Sequence, residues 1–187
     1  MNDLHEHTII ISPVGPFDQD LLAAIGPAIR RTYRTGSRVI PLLDNIDFAF
    51  DQKRAQYRSG SVLTKLSAIA PPWAFKVLAL VRQDLFIPIL THVFGEARLG
   101  GKAAIVSTAR LYDKLSPPLN RDTFIQRTIK EILHELGHTF NLRHCRDHGC
   151  IMHYSNDVDD VDRRSDQLCR YCRIMLADET KRYSISP

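Results

Sequence analysis

One short string, His134-Glu135-Leu136-Gly137-His138, constrains the fold of this 187-residue chain more than any other feature. Two histidines four residues apart lie about one turn apart on a helix, so both imidazoles can point at one metal ion from the same face. Glu135 lies beside the first histidine, where its carboxylate can reach water at the metal without being a ligand. The string therefore predicts a helix that carries a zinc site, with His134 and His138 as ligands and Glu135 as the general base.

His144, six residues after His138, is the candidate for the third protein ligand that an open zinc site needs. A straight helix would rotate by about 600 degrees over that distance and would point His144 away from the metal. The helix must therefore end between the two histidines. Asn141 can provide that end, because asparagine tolerates the left-handed backbone conformation of a C-terminal cap. The alternative is a helix whose histidines are ordinary surface or core residues.

Strands and helices are predicted to alternate along the chain, which indicates a mixed α/β (α+β) fold. The active-site helix is expected over about 121–142, with Asn120 or Asp122 as its N-terminal cap. Hydrophobic patterns predict further elements: strands over 9–14, 39–43, 75–81, 92–98 and 103–107, and helices over 18–32, 51–69 and 165–182. The stretch 145–165 has a polar, loop-like composition. We interpret 1–187 as a single domain, with an upper lobe over 1–144 and a C-terminal lobe over 145–187.

All four cysteines of the chain fall in two pairs, Cys145 with Cys150 and Cys169 with Cys172. The spacing C-x4-C followed by C-x2-C fits a closed, tetrahedral zinc site of the structural type. Such a site would hold together a lobe that is too small to stabilise itself. Because Cys145 directly follows His144, the two metal sites would share one stretch of backbone. Four unrelated buried thiols are the alternative, and disulfides are expected only in an exported protein.

Charge and hydropathy argue against a nucleic-acid or membrane partner. The formal charge of +4 is spread over interleaved basic and acidic residues, without the one-sign block or clustered basic face of a nucleic-acid binder. The N-terminus lacks the basic start and long apolar core of a signal peptide. The most apolar later stretch, 73–90, contains Lys76, Arg82 and Asp84, so it cannot cross a bilayer as a bare helix. We therefore expect a cytoplasmic, monomeric protein that binds neither nucleic acid nor membrane.

The histidine string, continued by the four cysteines and Met152, resembles the archaemetzincin family of metzincin zinc metallopeptidases. Two positions depart from the pattern: Asn141 stands where most metzincins have glycine, and the spacer from Met152 to Cys169 is one residue shorter. The resemblance implies a metzincin-like fold, with an upper lobe of twisted mixed β-sheet and helices, including the active-site helix, above a cleft. The small C-terminal lobe, held by the four-cysteine zinc site, would lie below. Met152 would form the Met-turn, packed beneath the histidine ligands.

Tyr154 lies two residues beyond that methionine. In the astacin branch of the metzincins a tyrosine at this relative position can approach the zinc, so Tyr154 is a candidate for contact with the zinc or with an oxyanion. A packed or surface tyrosine is the alternative. His148 and His153 are expected to be solvated loop residues.

The resemblance implies a zinc-dependent metallopeptidase with two Zn2+ per chain, one catalytic and one structural. Its substrate would be a peptide or a protein, hydrolysed by zinc-activated water with Glu135 as general base. Aminopeptidase and endopeptidase activity are both compatible with these residues. Two further alternatives stay open: a non-catalytic, zinc-stabilised binding module, and a zinc amidohydrolase that acts on a non-peptide amide, because the histidine string specifies activated water and not the substrate.

Overall fold

A five-stranded sheet lies at the centre of the computed structural model, which describes residues 7–112 and 121–183. In spatial order its strands are β2 (Gly36–Val39), β1 (Thr8–Pro13), β5 (Lys76–Val81), β8 (Ala103–Ser107) and β7 (Gly95–Ala97). The first four strands are parallel, and β7 runs antiparallel to β8 at the edge of the sheet. β1, β5 and β8 are buried along their whole length, as expected of strands that are covered on both faces.

Helices cover both faces of this sheet. The helices are α1 (Gln19–Tyr33), α2 (Ser59–Ile69), α3 (Arg121–Thr139), α4 (Val158–Arg163) and α5 (Arg170–Lys181). α1 and α3 pack on one face, against alternate strand residues such as Leu78 and Val106. α2 packs on the opposite face, against the intervening residues such as Ala79 and Ile105. Because successive strand residues point to opposite faces, the apolar strands supply both layers of the core.

A second, smaller sheet supports the loop over 87–92, which directly follows its last strand. Its strands are β3 (Phe50–Asp51), β4 (Gln56–Arg58) and β6 (Leu85–Phe86), with a short 3-10 helix (Asp47–Ala49) before β3. From the turn between β3 and β4, Arg54 donates hydrogen bonds to the carbonyls of Ile87 and Leu90, at 3.4 and 3.0 Å. The Gln56 side chain also donates to the carbonyl of Thr91, at 2.9 Å. These bonds hold the loop over 87–92, which lines the cleft described below.

The mixed α/β fold is confirmed, and the elements predicted over 9–14, 18–32, 75–81 and 103–107 lie within one or two residues of β1, α1, β5 and β8. The strand predicted over 39–43 is wrong for most of its length. β2 covers Gly36–Val39 and is only half-buried or exposed, because it is the edge of the sheet and has little apolar pattern. Its ladder continues for one further bond, from the amide of Ile40 to the carbonyl of Ile11, and Pro41 has no amide with which to extend it.

The helix predicted over 51–69 is also too long, because only its second half is helical. The Asp51 carboxylate accepts hydrogen bonds from the amides of Lys53 and Arg54, which forms a turn instead of a helix. Ala55 has a φ of 52°, in the left-handed region. The first half of this stretch is therefore a tight β3–β4 hairpin. The strand predicted over 92–98 is reduced to β7.

The C-terminal elements differ from their predicted limits in three places. α3 ends at Thr139, three residues before the predicted end, and the predicted capping residue Asn120 lies outside the described residues. The stretch 145–165, interpreted as a loop, contains the short helix α4, whose N-terminal cap is the Asp157 side chain. α5 begins at Arg170 and not near 165, because Cys169 forms its N-terminal cap.

Residues of the C-terminal stretch share a core with the main sheet. Ile151, Met152, Leu168 and Leu176 belong to the same buried cluster as the residues of α1 and α3. Among the residues with described positions, no helix combines the length and the apolar character needed to span a bilayer.

Candidate active site and metal centres

α3 carries His134 and His138 on one side, with their Nε2 atoms 3.1 Å apart. After Thr139 the helix ends in a Schellman turn: the amide of Asn141 donates to the carbonyl of His138 at 2.9 Å, and the amide of Leu142 donates to that of Gly137 at 3.0 Å. Asn141 has a φ of 63°, the left-handed conformation that this turn requires. The chain therefore reverses direction at the residue that the sequence indicated.

This turn brings His144 back to the other two histidines. Its ring centroid lies 5.3 Å from that of His134 and 4.9 Å from that of His138. One nitrogen from each of the three rings lies within 4.8 Å of the others. Zinc–nitrogen bonds of about 2.0–2.1 Å in a tetrahedral site place ligand nitrogens roughly 3.4 Å apart. The three histidines can therefore hold a zinc ion after small side-chain adjustments.

Hydrogen bonds orient two of these rings. The Nδ1 atom of His134 lies 2.8 Å from the carbonyl of Ile151, and that of His138 lies 2.7 Å from the carbonyl of Leu142. A carbonyl can only accept, so each Nδ1 carries the proton and each Nε2 keeps its lone pair. The lone pairs lie at the centre of the cluster, where a metal would be bound.

The protein environment keeps the histidines neutral. Burial, followed by the positive charge of Arg164, lowers the pKa of His134 well below its usual value. Burial lowers the pKa of His138 to about 4, and it also lowers the pKa of His144. Zinc binds the neutral imidazole, so these shifts favour metal binding at neutral pH.

Glu135 is buried beside the cluster, with 5% of its surface exposed. Burial, and then the neighbouring carboxylate of Glu131, raises its pKa well above the usual value for glutamate. The edge strand β7 packs directly on it. A Cβ atom on Gly95 would lie 2.5 Å from Glu135 Cγ and 2.7 Å from the carbonyl oxygen of Ile105, so only glycine fits there. Such a buried carboxylate can accept a proton in a cleft and release it again.

The histidines and Glu135 line a cleft with a volume of about 620 Å³. One wall is β7, at the edge of the main sheet, and the neighbouring loop contributes Ile87 and Leu90. Tyr154 and Asn156 also line the cleft. The cleft is therefore lined by a strand at a sheet edge as well as by polar and aromatic side chains.

Met152 lies fully buried beneath the histidine-bearing helix end. A Cβ atom on Gly137 would approach the sulfur of Met152 more closely than real side chains tolerate, and it would come within 3.3 Å of the Tyr33 hydroxyl. The glycine of the string is therefore the residue that lets methionine pack against the helix. The Tyr33 hydroxyl itself donates a hydrogen bond to the carbonyl of Leu133 on the same helix.

Tyr154 is 41% exposed, and its ring centroid lies 5.2 Å from that of His144. The structure does not bring His148 or His153 into the three-histidine cluster. His153 is half-buried, with its Nδ1 atom 2.9 Å from the carbonyl of Cys145, and its ring packs against that of His148.

The four cysteines converge in a second cluster, in which the four Sγ atoms lie within 4.8 Å of one another. The Sγ atoms of Cys145 and Cys169 are 3.8 Å apart. Zinc–sulfur bonds of about 2.3 Å place the sulfurs of a tetrahedral site roughly 3.8 Å apart. Burial raises the pKa of Cys150 to about 11 and raises that of Cys172 further. A dication would offset this effect, because it binds the deprotonated thiolate.

Two residues near the histidines were not found from the sequence. Glu131 precedes Glu135 by one helical turn, and Arg164 follows α4 in a polar stretch. They form a buried ion pair behind His134, with side-chain exposures of 4% and 1%. A glutamate on the buried side of α3 could have indicated a buried charged partner near the histidines. Nothing in the local sequence around Arg164 indicated that it would be this partner.

The fold and the two clusters define the class: a mixed α/β protein with an open three-histidine site suited to hydrolysis and a closed four-cysteine site. Residues 36–178 match the family model of peptidase family M54. The chain belongs to this family, the archaemetzincin family of zinc metallopeptidases, as the resemblance of its motifs indicated.

Relatives match most of the chain. The archaemetzincin of Methanocaldococcus jannaschii is 32% identical over 91% of this chain and 93% of its own. The crystal structure of the Methanopyrus kandleri archaemetzincin has a TM-score of 0.82 at 30% identity, and the match covers 95% of this chain and 97% of that one. The crystal structure of a zinc-dependent peptidase from Methanocorpusculum labreanum has a TM-score of 0.78 at 28% identity. This match covers 90% of this chain and 99% of that one.

Proposed function

We propose that the chain hydrolyses peptide bonds at the three-histidine site, with His134, His138 and His144 as ligands of a catalytic zinc ion and Glu135 as general base. The observation that carries this proposal is the convergence of three neutral imidazoles beside a buried carboxylate in one cleft. When bound, zinc acts as a Lewis acid that lowers the pKa of water and polarises a carbonyl group.

Glu135 moves the proton in this proposal. Its carboxylate accepts a proton from the attacking water, and the raised pKa makes the protonated form accessible. The same group then donates that proton to the leaving amine. Gly95 and β7 restrict its side chain from one side, which keeps the carboxylate near the reacting atoms.

β7 is the strand along which an extended substrate would bind. Among the described residues its only sheet partner is β8, and its residues line the cleft. An open strand edge offers backbone donors and acceptors to a peptide in β conformation, whereas a small non-peptide amide could not use them. This feature favours a peptide or protein substrate over the amidohydrolase alternative.

Tyr154 is the candidate for stabilising the oxyanion that develops on the substrate. It lines the cleft, packs beside His144, and is exposed enough to rotate toward a bound peptide. Met152, buried beneath the helix end, would act as the Met-turn by supporting the histidines from below.

A second zinc ion, bound by Cys145, Cys150, Cys169 and Cys172, would be structural. The closed cluster leaves no ligand position for a substrate, and it joins the loop after His144 to the start of α5. The chain would then be a single catalytic domain over 1–187, with lobes over 1–144 and 145–187 that share one core.

The test is incubation of the zinc-loaded protein with a diverse peptide library, with products identified by mass spectrometry. Glu135→Gln is expected to keep two zinc ions per chain and to lose at least about 100-fold in turnover, because the base is removed and the ligands are not. Asp178→Asn, on the exposed face of α5, makes the same chemical change away from the cleft and should stay fully active.

Full activity in Glu135→Gln would refute the assigned base. Absence of cleavage in the zinc-loaded wild type, together with retained metal, would favour the non-catalytic binding module. The monomeric state, the cytoplasmic location and the absence of nucleic-acid binding stay predictions from the sequence.

A further inference from the structure

Arg164 lies behind the three-histidine site, where three separate parts of the chain meet. Its Nη2 atom forms an ion pair with Glu131 on α3, and both side chains are almost fully buried. Its Nη1 atom donates to the carbonyls of Ile151 and His153, each at 3.0 Å. One guanidinium therefore joins the active-site helix, the segment around Met152 and the end of α4.

One of these acceptors also binds the first histidine. The carbonyl of Ile151 lies 2.8 Å from Nδ1 of His134, and it has two lone pairs for the two donors. Nη1 of Arg164 lies only 2.7 Å from the same Nδ1. Both nitrogens are donors when His134 presents its Nε2 lone pair to a metal, so they cannot bond to each other and share the carbonyl instead. The guanidinium thereby limits where the imidazole can rotate.

The segment that Arg164 holds leads directly to the cysteine cluster. Ile151 lies between Cys150 and Met152, and its amide donates to the carbonyl of Gln167 at 2.8 Å, two residues before Cys169. The carbonyl that orients His134 is thus fixed from two sides, by Arg164 and by the chain that enters the four-cysteine cluster.

We infer that Arg164, held by Glu131, is a positioning residue for His134, and that it links the geometry of the three-histidine site to the four-cysteine region. The link rests on the proposed function, because it presupposes that His134 binds a metal. Arg164 is among the residues that line the cleft, but in this role it is not a metal ligand and acts through the Ile151 carbonyl.

The guanidinium is suited to this role by its shape. It is planar, it remains charged, and its fixed fork of donors serves a carboxylate and two carbonyls at once. A lysine at the same place would provide one compact charge and could not hold all three acceptors in one plane. Groups in the outer shell of a metal site typically change metal affinity by about 10–100-fold when they are replaced.

The test compares Arg164→Met with a matched variant of the full-length protein, Arg127→Met. Arg127 is also a buried arginine that joins α3 to α4: it pairs with Asp162 at 2.6 Å and donates to the carbonyl of Leu111 at 3.0 Å. It contacts neither a candidate ligand nor the Ile151 carbonyl in these bonds. Both variants remove a buried guanidinium and its ion pair from the interface between α3 and the α4 region, although the control's partner, Asp162, is 42% exposed.

Zinc affinity is measured by competition with a chromophoric chelator, and the site is identified by cobalt substitution. Cobalt in a thiolate site absorbs intensely in the near ultraviolet, whereas cobalt in a histidine site shows only weak visible bands. Arg164→Met is expected to weaken zinc at the three-histidine site by about 10–100-fold and to change its visible cobalt bands. Arg127→Met should keep the zinc affinity of the three-histidine site within about twofold of wild type and leave its cobalt bands unchanged. It should nevertheless lower the melting temperature.

Two further variants keep the test decisive if Arg164→Met folds poorly. Arg164→Lys should restore part of the affinity. The double variant Arg164→Met with Glu131→Leu replaces the buried pair by apolar side chains, which commonly restores stability, yet it should still bind zinc weakly.

Unchanged zinc affinity and cobalt bands in the double variant would overturn the inference. Equal loss in Arg127→Met would overturn it too, because the effect would then be general destabilisation. If the wild type itself binds no metal at the three-histidine site, the proposed function fails together with the inference. Normal wild-type binding with no effect of Arg164 overturns the inference alone.

Discussion

Removal of zinc should expose a strong dependence of stability on pH, and His138 allows its size to be worked out. Burial lowers the pKa of His138 to about 4 in the folded protein, whereas an unfolded histidine titrates near 6.5. Between these values the unfolded chain binds a proton that the folded chain does not. Stability is therefore fully present above about pH 6.5 and is lost as the pH falls toward about 4.

The full effect of a shift of about 2.5 units is roughly 3.4 kcal/mol, at 1.36 kcal/mol for each unit. Between about pH 7.5 and about pH 5 the loss from this residue alone is about 2 kcal/mol. His134 and His144 have lowered pKa values as well, so their contributions have the same sign.

The measurement is urea unfolding of the metal-free protein at several pH values, for wild type and for His138→Gln. Glutamine does not titrate, so this variant should lose about 2 kcal/mol less than wild type over the same interval. Carboxylates that titrate at lower pH affect both proteins equally and cancel in the comparison. An identical pH dependence in the two proteins would refute the reasoning, because His138 would then titrate alike in the folded and unfolded states.

Two further predictions concern the wall of the cleft and the cysteine cluster. Gly95→Ala should lower kcat by about tenfold or more with zinc retained, because the new methyl group would displace Glu135 or separate β7 from the Ile105 carbonyl; unchanged kinetics would show that Glu135 has room to move. Cys172→Ser should release one zinc ion and lower the melting temperature by about 10 °C, corresponding to a loss of roughly 3–5 kcal/mol. Metal analysis and calorimetry test this, and unchanged values in both would remove the structural role of the cluster.

Local chemistry explains what could be predicted of the candidate site. The four-residue spacing of His134 and His138 acts through the pitch of one helix, and no distant contact is needed to bring them together. Asparagine tolerates the left-handed conformation that Asn141 adopts, and this turn brings His144 back to the other two histidines. The two cysteines within each pair are close in sequence, and the spacing of the pairs predicted one shared site. The fold brings the pairs, which are separated by 19 residues, within 4.8 Å.

Local patterns were less informative where an element is short or lies at an edge. Apolar periodicity suggested a helix over residues that form the β3–β4 hairpin, because it does not register the turn at Asp51 or the left-handed backbone at Ala55. β2 was misplaced for a related reason. An edge strand is partly exposed, so its residues need not be apolar.

The sequence by itself determined that His134 and His138 share one face of a helix, and that this helix must end before His144 if the third histidine is to reach the same site, since both depend on neighbours within about two turns. It also marked the four cysteines as candidate zinc ligands by their spacing. Only the tertiary structure decided how deeply the site residues are buried and which distant groups orient them. Glu135 owes its burial to Gly95 on a distant strand, and His134 owes its orientation to Ile151 and Arg164, 17 and 30 residues away. Such contacts depend on how sheet, helix and C-terminal segment pack together, and no local pattern of residues records that packing.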